Sequence, residues 1–322
     1  MTGGVIVTFS KTEFWVKHWH NTVRFIEKIL QDNKVDYRYY DIEDLADLDL
    51  TGWDIINVGN HQYVGSKKLY AIGKSLKRCD RLISHIDDYA NPLATQIRQA
   101  VIGKPNIFIS NMPKLLEWKK ESVQYNWATE CIYMNWNKLS YNPIPFGVPL
   151  YEGVLYFGAF RKKRAAYFEK YLGIDATDFY PVNVSSNKKS LKLFLDMNPC
   201  LDEFSKPEQL LPFLQQFKMM VYMEDTPSHT LYNSPANRFY ECISAGLPMV
   251  FDINTVHTFE EAGYDVNKFV VQEARDIPYF LSIWEKCRDE QLQWRRDYIA
   301  EGTNELTKIF KQIGVINESA KT

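Results

Sequence analysis

The sequence predicts an α/β protein of two domains, each a parallel sheet with helices on both faces. Three observations carry that expectation. Strand-like and helix-like segments alternate through the first half, the alternation starts afresh in the second half, and a proline- and glycine-rich stretch separates them. Regular βαβ alternation is the signature of a parallel sheet covered on both sides. Gly4–Phe9 is a short β-rich run, and 16–32 has helical periodicity in Val16, Val23, Ile26, Ile29 and Leu30. Val35–Tyr40, Trp53–Val58, Arg81–Ile86 and Asn106–Ser110 read as the second to fifth strands, with helices at about 65–77 and 91–101 between them.

The region 142–153 holds three prolines and two glycines. It sustains neither a helix nor a central strand and reads as a linker. Beyond it, Val154–Phe157, Phe179–Val184, Met219–Met223, Met249–Phe251 and Lys268–Val271 read as strands, with helices over 161–172 and 207–217. A charged helical tail follows from about 275 to 313. The expected organisation is an N-terminal domain over 1–145, a C-terminal domain over 154–290 and a helical tail over 291–322.

Composition bounds the function. At 322 residues and 45% hydrophobic content the chain can bury substantial cores. No run of about 18 apolar residues is present to cross a bilayer, so no membrane partner is expected. The first residues enter a strand directly, without the basic region and cleavage site of a signal peptide. The five cysteines are scattered and form no CxxC or Cys/His pattern, which reads as reduced thiols in a cytoplasmic setting. A net charge of −2 counts against strong non-specific DNA binding. Aromatic residues, 15% of the chain, stack on sugars or bases in some proteins and fill cores in more. Neither GxGxxG nor GxxxxGK[ST] occurs.

The most informative stretch runs from Asn237 to Asp252. It reads as a short helix that stops at Gly246, turns through Pro248 and enters a buried strand ending in Asp252. Arg238 and Glu241 share one helix face near its N-terminal end. There Arg238 and the first amides can meet a diphosphate, and Glu241 can accept from ribose hydroxyls one turn deeper. The competing reading is a surface ion pair; the helix-Gly-x-Pro-strand context favours a nucleotide-sugar. Ser234 or Asn237 is the expected cap of this helix. The polar segment Glu224–Pro235 before it is a candidate to clasp the uracil-ribose end of a donor.

Two further segments bear chemistry. After strand 154–157, Gly158 lets the backbone turn closely around a ligand, and Arg161 and Arg164 would share a helical face near an anion. A solvated basic helix start is the bland alternative. In Leu82–Pro92 the adjacent acids Asp87 and Asp88 close a buried strand, where repulsion and burial can raise one carboxyl towards a useful base. One of the two is expected to cap the helix near Pro92. His85 reads as a base, a sugar contact or a satisfied structural group. His18 and His20 form a His-x-His that is weak as a metal site. Placed in a loop after the first strand, they are candidates to touch a substrate.

The stretch 238–252 resembles the donor-binding segment of GT-B glycosyltransferases, particularly the phage DNA β-glucosyltransferases that decorate 5-hydroxymethylcytosine. It lies on that segment without a gap, matching Arg238, Glu241, Met249 and Asp252. The resemblance implies two Rossmann-like domains facing a central cleft, with the C-terminal helix crossing back to the first. It implies that Arg238 meets the donor pyrophosphate and Glu241 the ribose. The family's Gly-x-Phe-Arg at the first strand of the second domain is matched by Gly158 to Arg161, and its arginine contacts the pyrophosphate. Its second arginine lies one residue beyond Arg164. The family's base is an Asp four residues before a Pro; Asp88 has that spacing to Pro92 and ranks first, with Asp87 close behind.

The expected activity is inverting transfer from a UDP-sugar, UDP-glucose first and a pentose donor second, to a hydroxymethylated pyrimidine in duplex DNA reached by base flipping. The acceptor hydroxyl needs a carboxylate base, and the departing diphosphate needs positive charge or amide dipoles. No DxD-type motif sits where a metal-diphosphate site needs one, so no metal is obligatory and a divalent cation is at most stimulatory. A monomer is expected, in the host cytoplasm if phage-encoded. A DNA-facing basic rim would draw on Lys67, Lys68, Lys74, Lys77 and Arg78, and on Lys162, Lys163, Lys188, Lys189 and Lys192. The alternatives are a GT-B enzyme acting on a polysaccharide or small molecule, and a catalytically silent nucleotide-sugar-binding module.

Overall fold

A computed structural model describes residues 4–9, 19–59, 64–85, 106–110, 130–133, 148–158, 164, 167, 170–171, 179–183, 207–225 and 234–317. The chain gathers into two compact units, Met1–Tyr141 with Tyr298–Thr322, and Asn142–Asp297.

The first unit holds six parallel strands, β1 (Val5–Phe9), β2 (Tyr37–Asp41), β3 (Asp54–Val58), β4 (Arg81–His85), β5 (Asn106–Ser110) and β6 (Glu130–Tyr133). Their order is β2-β1-β3-β4-β5-β6. Every residue of β3 and all but the last of β1 are buried. That is why both read as near-continuous Val/Ile runs, as strands covered on both faces do. Helix α1 (Trp19–Asp32) buries Val23, Ile26, Ile29 and Leu30, the stripe that its periodicity predicts. Helix α2 (Ser66–Leu76) lies between β3 and β4 in the chain. β6 escapes sequence reading, because Glu-Cys-Ile-Tyr is too short and mixed to carry a period.

The second unit has β7 (Tyr151–Gly158), β8 (Phe179–Asn183), β9 (Phe217–Tyr222), β10 (Met249–Asp252) and β11 (Val270–Val271), in the order β11-β10-β9-β7-β8. β7 begins inside the stretch expected to be linker. Tyr151 stacks on Phe217 at 4.8 Å between ring centroids, and a bulge between Tyr151 and Val154 lets the strand take in Gly153. Helices α3 (Pro207–Leu214), α4 (Asn237–Ala245), α5 (Val256–Glu261) and α6 (Ile277–Ser282) precede the long α7 (Trp284–Gln312). The Gln291 amide accepts from Met249 N (2.9 Å) and donates to Met249 O (2.7 Å), standing in for a strand neighbour of β10. From Tyr298 onward the chain belongs to the first unit, where Arg81 binds the Ile313 carbonyl just past the end of α7.

In each sheet the chain runs to one side of its first strand and then to the other. The reversals lie between β1 and β3, and between β7 and β9. Open parallel sheets take ligands at the carboxyl ends of the strands flanking such a reversal.

Candidate functional site

The second reversal is where charged residues gather. β7 ends at Gly158, and β9 is followed by Met223, Glu224 and Asp225, all buried. Helix α4 then starts with its N-terminus behind them in the chain. Gly246 ends α4 in the left-handed conformation (φ 71°), and its N–H reaches back to the Cys242 and Ile243 carbonyls. The start of α4 corrects the expectation for its cap. Ala236 is the N-cap and supplies no side-chain bond, and Asn237 is the first helical residue. The Ala236 N–H donates to the Tyr222 hydroxyl at 2.8 Å.

Arg238, in the first turn of α4, is only 6% exposed. Its Nη1 donates to the Tyr156 hydroxyl (2.9 Å) and to the Phe157 carbonyl (3.3 Å), and its Nη2 meets Glu224 Oε1. The guanidinium carbon lies 5.4 Å from the Tyr156 and Tyr222 ring centroids, cation–π distance for both. Its Nε–H finds no acceptor among the described residues. A buried donor left unmade costs about 1–3 kcal/mol, and more on a charged group.

Arg164 is the counterpart. It is 3% exposed and donates from Nε to Asp225 Oδ2 (3.0 Å), from Nη1 to the Tyr156 hydroxyl (2.9 Å) and from Nη2 to Glu224 Oε2 (2.5 Å). Two guanidiniums thus face two carboxylates around one tyrosine hydroxyl, a buried cluster whose formal charges cancel. Each member compensates the others' lost hydration. Burial pushes the Tyr222 hydroxyl pKa up against the lowering effect of the Arg238 charge, keeping it a neutral partner for Ala236.

Gly158 is required by this packing. Its φ is +148°, and a Cβ there would lie 2.3 Å from Arg238 Nη1 and 3.2 Å from the Tyr156 hydroxyl. Gly158→Ala is therefore expected to destabilise the chain by about 1–3 kcal/mol, through a backbone that L-residues avoid and a displaced arginine. Chemical denaturation with an unchanged m-value checks it; unchanged stability would mean that Arg238 moves aside freely.

The other expected site residues fall variously. Asp87, Asp88, Arg161 and His18 lie outside the described residues, as do Lys162, Lys163, Lys188, Lys189 and Lys192. His20 stands in the first turn of α1 rather than in a loop, because the helix already begins at Trp19. His85 ends β4 and is 1% exposed, with its carbonyl accepting from Gly59 N at 3.2 Å. Glu241 is half-buried, three residues after Arg238. Asp252 is fully buried and holds Lys170 (2.7 Å), the Tyr171 hydroxyl and the Asn254 N–H (3.0 Å), so it braces the fold. On α2 and just beyond it, Lys68 pairs with Glu43 and Arg78 with Asp49 (3.5 Å), which takes positive charge out of the expected rim.

Sequence reasoning missed Tyr156, and it placed Glu224 and Asp225 in a polar loop when both are buried arginine partners. An acidic pair directly after a buried apolar strand was the available signal. Among the described residues no group of three or more His, Cys, Asp or Glu gathers as a cation site. No helix among them is long and apolar enough to cross a membrane.

No family model matches this sequence, and no curated protein does. Solved structures do. The chain superposes on a mutant of T4 phage BGT in complex with UDP-glucose with a TM-score of 0.62 at 12% identity, covering 97% of this chain and 99% of the other. A structure of the DNA-modifying enzyme β-glucosyltransferase, with and without uridine diphosphoglucose, matches with a TM-score of 0.58 at 12% identity, over 96% and 98% of the two chains. An α-glucosyltransferase in complex with UDP and a 13-mer DNA containing an HMU base matches with a TM-score of 0.51 at 9% identity, over 96% and 99%. Near-complete coverage of both chains at such identities shows a shared GT-B fold.

Proposed function

We propose that this protein is an inverting glycosyltransferase that moves a sugar from a UDP-sugar to the hydroxymethyl group of a modified pyrimidine in DNA. The observation that carries the reading is the buried Arg238, whose Nε–H lacks an acceptor among the described residues, at the start of α4 beside the reversal in the second sheet. A helix N-terminus and a guanidinium with a donor to spare suit a diphosphate. The fold adds support, since structures that share it were solved with UDP-glucose and with UDP beside DNA carrying an HMU base.

In this reading Arg238, the α4 amides and Arg161 receive the diphosphate, Gly158 lets the strand end approach it, and Glu241 accepts from ribose hydroxyls. Asp88 takes the proton of the acceptor hydroxyl as its oxygen attacks the anomeric carbon. The bond from that carbon to the phosphate oxygen breaks, and its electron pair leaves with UDP. Asp87 is the alternate base, and His85, His18 and His20 are acceptor-side candidates. Side chains and amides do the neutralising, so a divalent cation only stimulates. The pyrimidine is reached by flipping it from the duplex. The protein acts as a monomer in the cytoplasm.

Calorimetry tests the donor half. UDP is expected to bind, and UMP, which lacks the β-phosphate, to bind about tenfold or more weakly, since a charge-assisted contact is worth about 1.5–3 kcal/mol. Equal affinities for the two would remove the diphosphate from the site. A second reading keeps the donor and changes the acceptor to a polysaccharide or small molecule. The net charge of −2, and the pairing of Lys68 and Arg78 with acids, favour it.

A further inference from the structure

The cluster behind Arg238 poses a question of sign. A carboxylate next to an anion site weakens that site by repulsion unless it does something that outweighs the charge. Glu224 is 3% exposed and divides its two oxygens between two arginines, Oε1 to Arg238 and Oε2 to Arg164 at 2.5 Å. Asp225 holds Arg164 from its other edge at 3.0 Å, and the Tyr156 hydroxyl accepts from both guanidiniums at 2.9 Å. Arg238 is thus held at Nη1 and Nη2, while its Nε has no acceptor among the described residues. Held this way, the guanidinium is fixed in its plane and in its rotation about the Nε–Cζ bond. A side chain frozen before the ligand arrives does not lose that freedom on binding.

We propose that Glu224 is a positioning residue of the donor site, holding Arg238 by one oxygen and Arg164 by the other so that the free Arg238 N–H is aimed before the diphosphate binds. This rests on the reading of Arg238 as the diphosphate contact. Arg164 is then the fixed counter-ion that anchors Glu224, and Asp225 in turn anchors Arg164. The order of dependence is Asp225, Arg164, Glu224, Arg238.

Two substitutions separate geometry from charge. Glu224→Gln keeps the shape, removes the negative charge and turns an amide N–H₂ towards one guanidinium. Glu224→Asp keeps the charge and is one methylene too short to bridge both arginines. Positioning predicts that each weakens UDP binding about fivefold or more in calorimetry, even though Glu224→Gln removes repulsion. In an Arg238→Ala background neither substitution changes UDP affinity further. Tighter or unchanged binding by Glu224→Gln, or full affinity in Glu224→Asp, overturns the proposal. Should both variants fail to fold, the unaltered protein decides it by NMR of its arginine side chains. A slowly rotating Arg238 guanidinium before UDP is added supports positioning, and a freely rotating one overturns it. If Arg238→Ala leaves UDP affinity untouched, the diphosphate assignment fails first, whatever Glu224 does.

Discussion

Asp88→Asn is expected to lose about 10²–10⁴-fold in turnover while binding UDP as tightly as the unaltered chain. The amide has the shape of the carboxylate and cannot take the proton of an attacking hydroxyl. In the proposed reading donor binding rests on other residues, so the loss is expected in kcat and not in the affinity for UDP. Asp87 and Asp88 are adjacent acids just past β4, whose last residue His85 is already buried. Only one of them is needed as the base, and the other suits the cap of the segment that begins near Pro92. Single-turnover transfer and UDP calorimetry on both Asn variants check the assignment. A dead Asp87→Asn beside an active Asp88→Asn exchanges the two roles, and two active variants remove the base from this pair.

Arg238→Ala is expected to weaken UDP binding by about tenfold or more, the equivalent of one charge-assisted contact. The substitution leaves Glu224 and Asp225 sharing the one guanidinium of Arg164, a buried excess of one negative charge, so it is also expected to destabilise the chain by about 3–5 kcal/mol. Calorimetry on a variant with an unchanged far-UV spectrum is the check. Unchanged affinity would leave Arg238 as a purely structural ion-pair partner, which is the bland reading of an Arg at a helix start.

How much of this was legible in the sequence depends on how local the signals were. The run Asn237–Asp252 could be read almost residue by residue, because the left-handed Gly246, the turn at Pro248 and the apolar strand Met249–Asp252 are short-range features. The parallel character of both sheets follows from βαβ alternation, which depends only on period and sequence, whereas the strand order with its reversals does not. The cluster around Arg238 was not legible. Tyr156 and Glu224 hold Arg238 and also Arg164, and only their placement at one sheet reversal brings these segments together. Alone, Glu224 and Asp225 look like the opening of a polar loop. The same limit applied at Tyr151, where stacking on Phe217 draws a stretch of apparent linker into β7.

The acceptor is the least constrained part of the proposed function, and the net charge of −2 counts against DNA. Incubation of the protein with hydroxymethylated duplex DNA and a panel of UDP-sugars, followed by mass spectrometry of the released nucleosides, tests it most directly. A hydroxymethylpyrimidine nucleoside heavier by one glycosyl unit is expected with UDP-glucose or a pentose donor, and none with unmodified DNA. Absence of any glycosylated nucleoside across the panel, from protein that binds UDP, would contradict the DNA assignment.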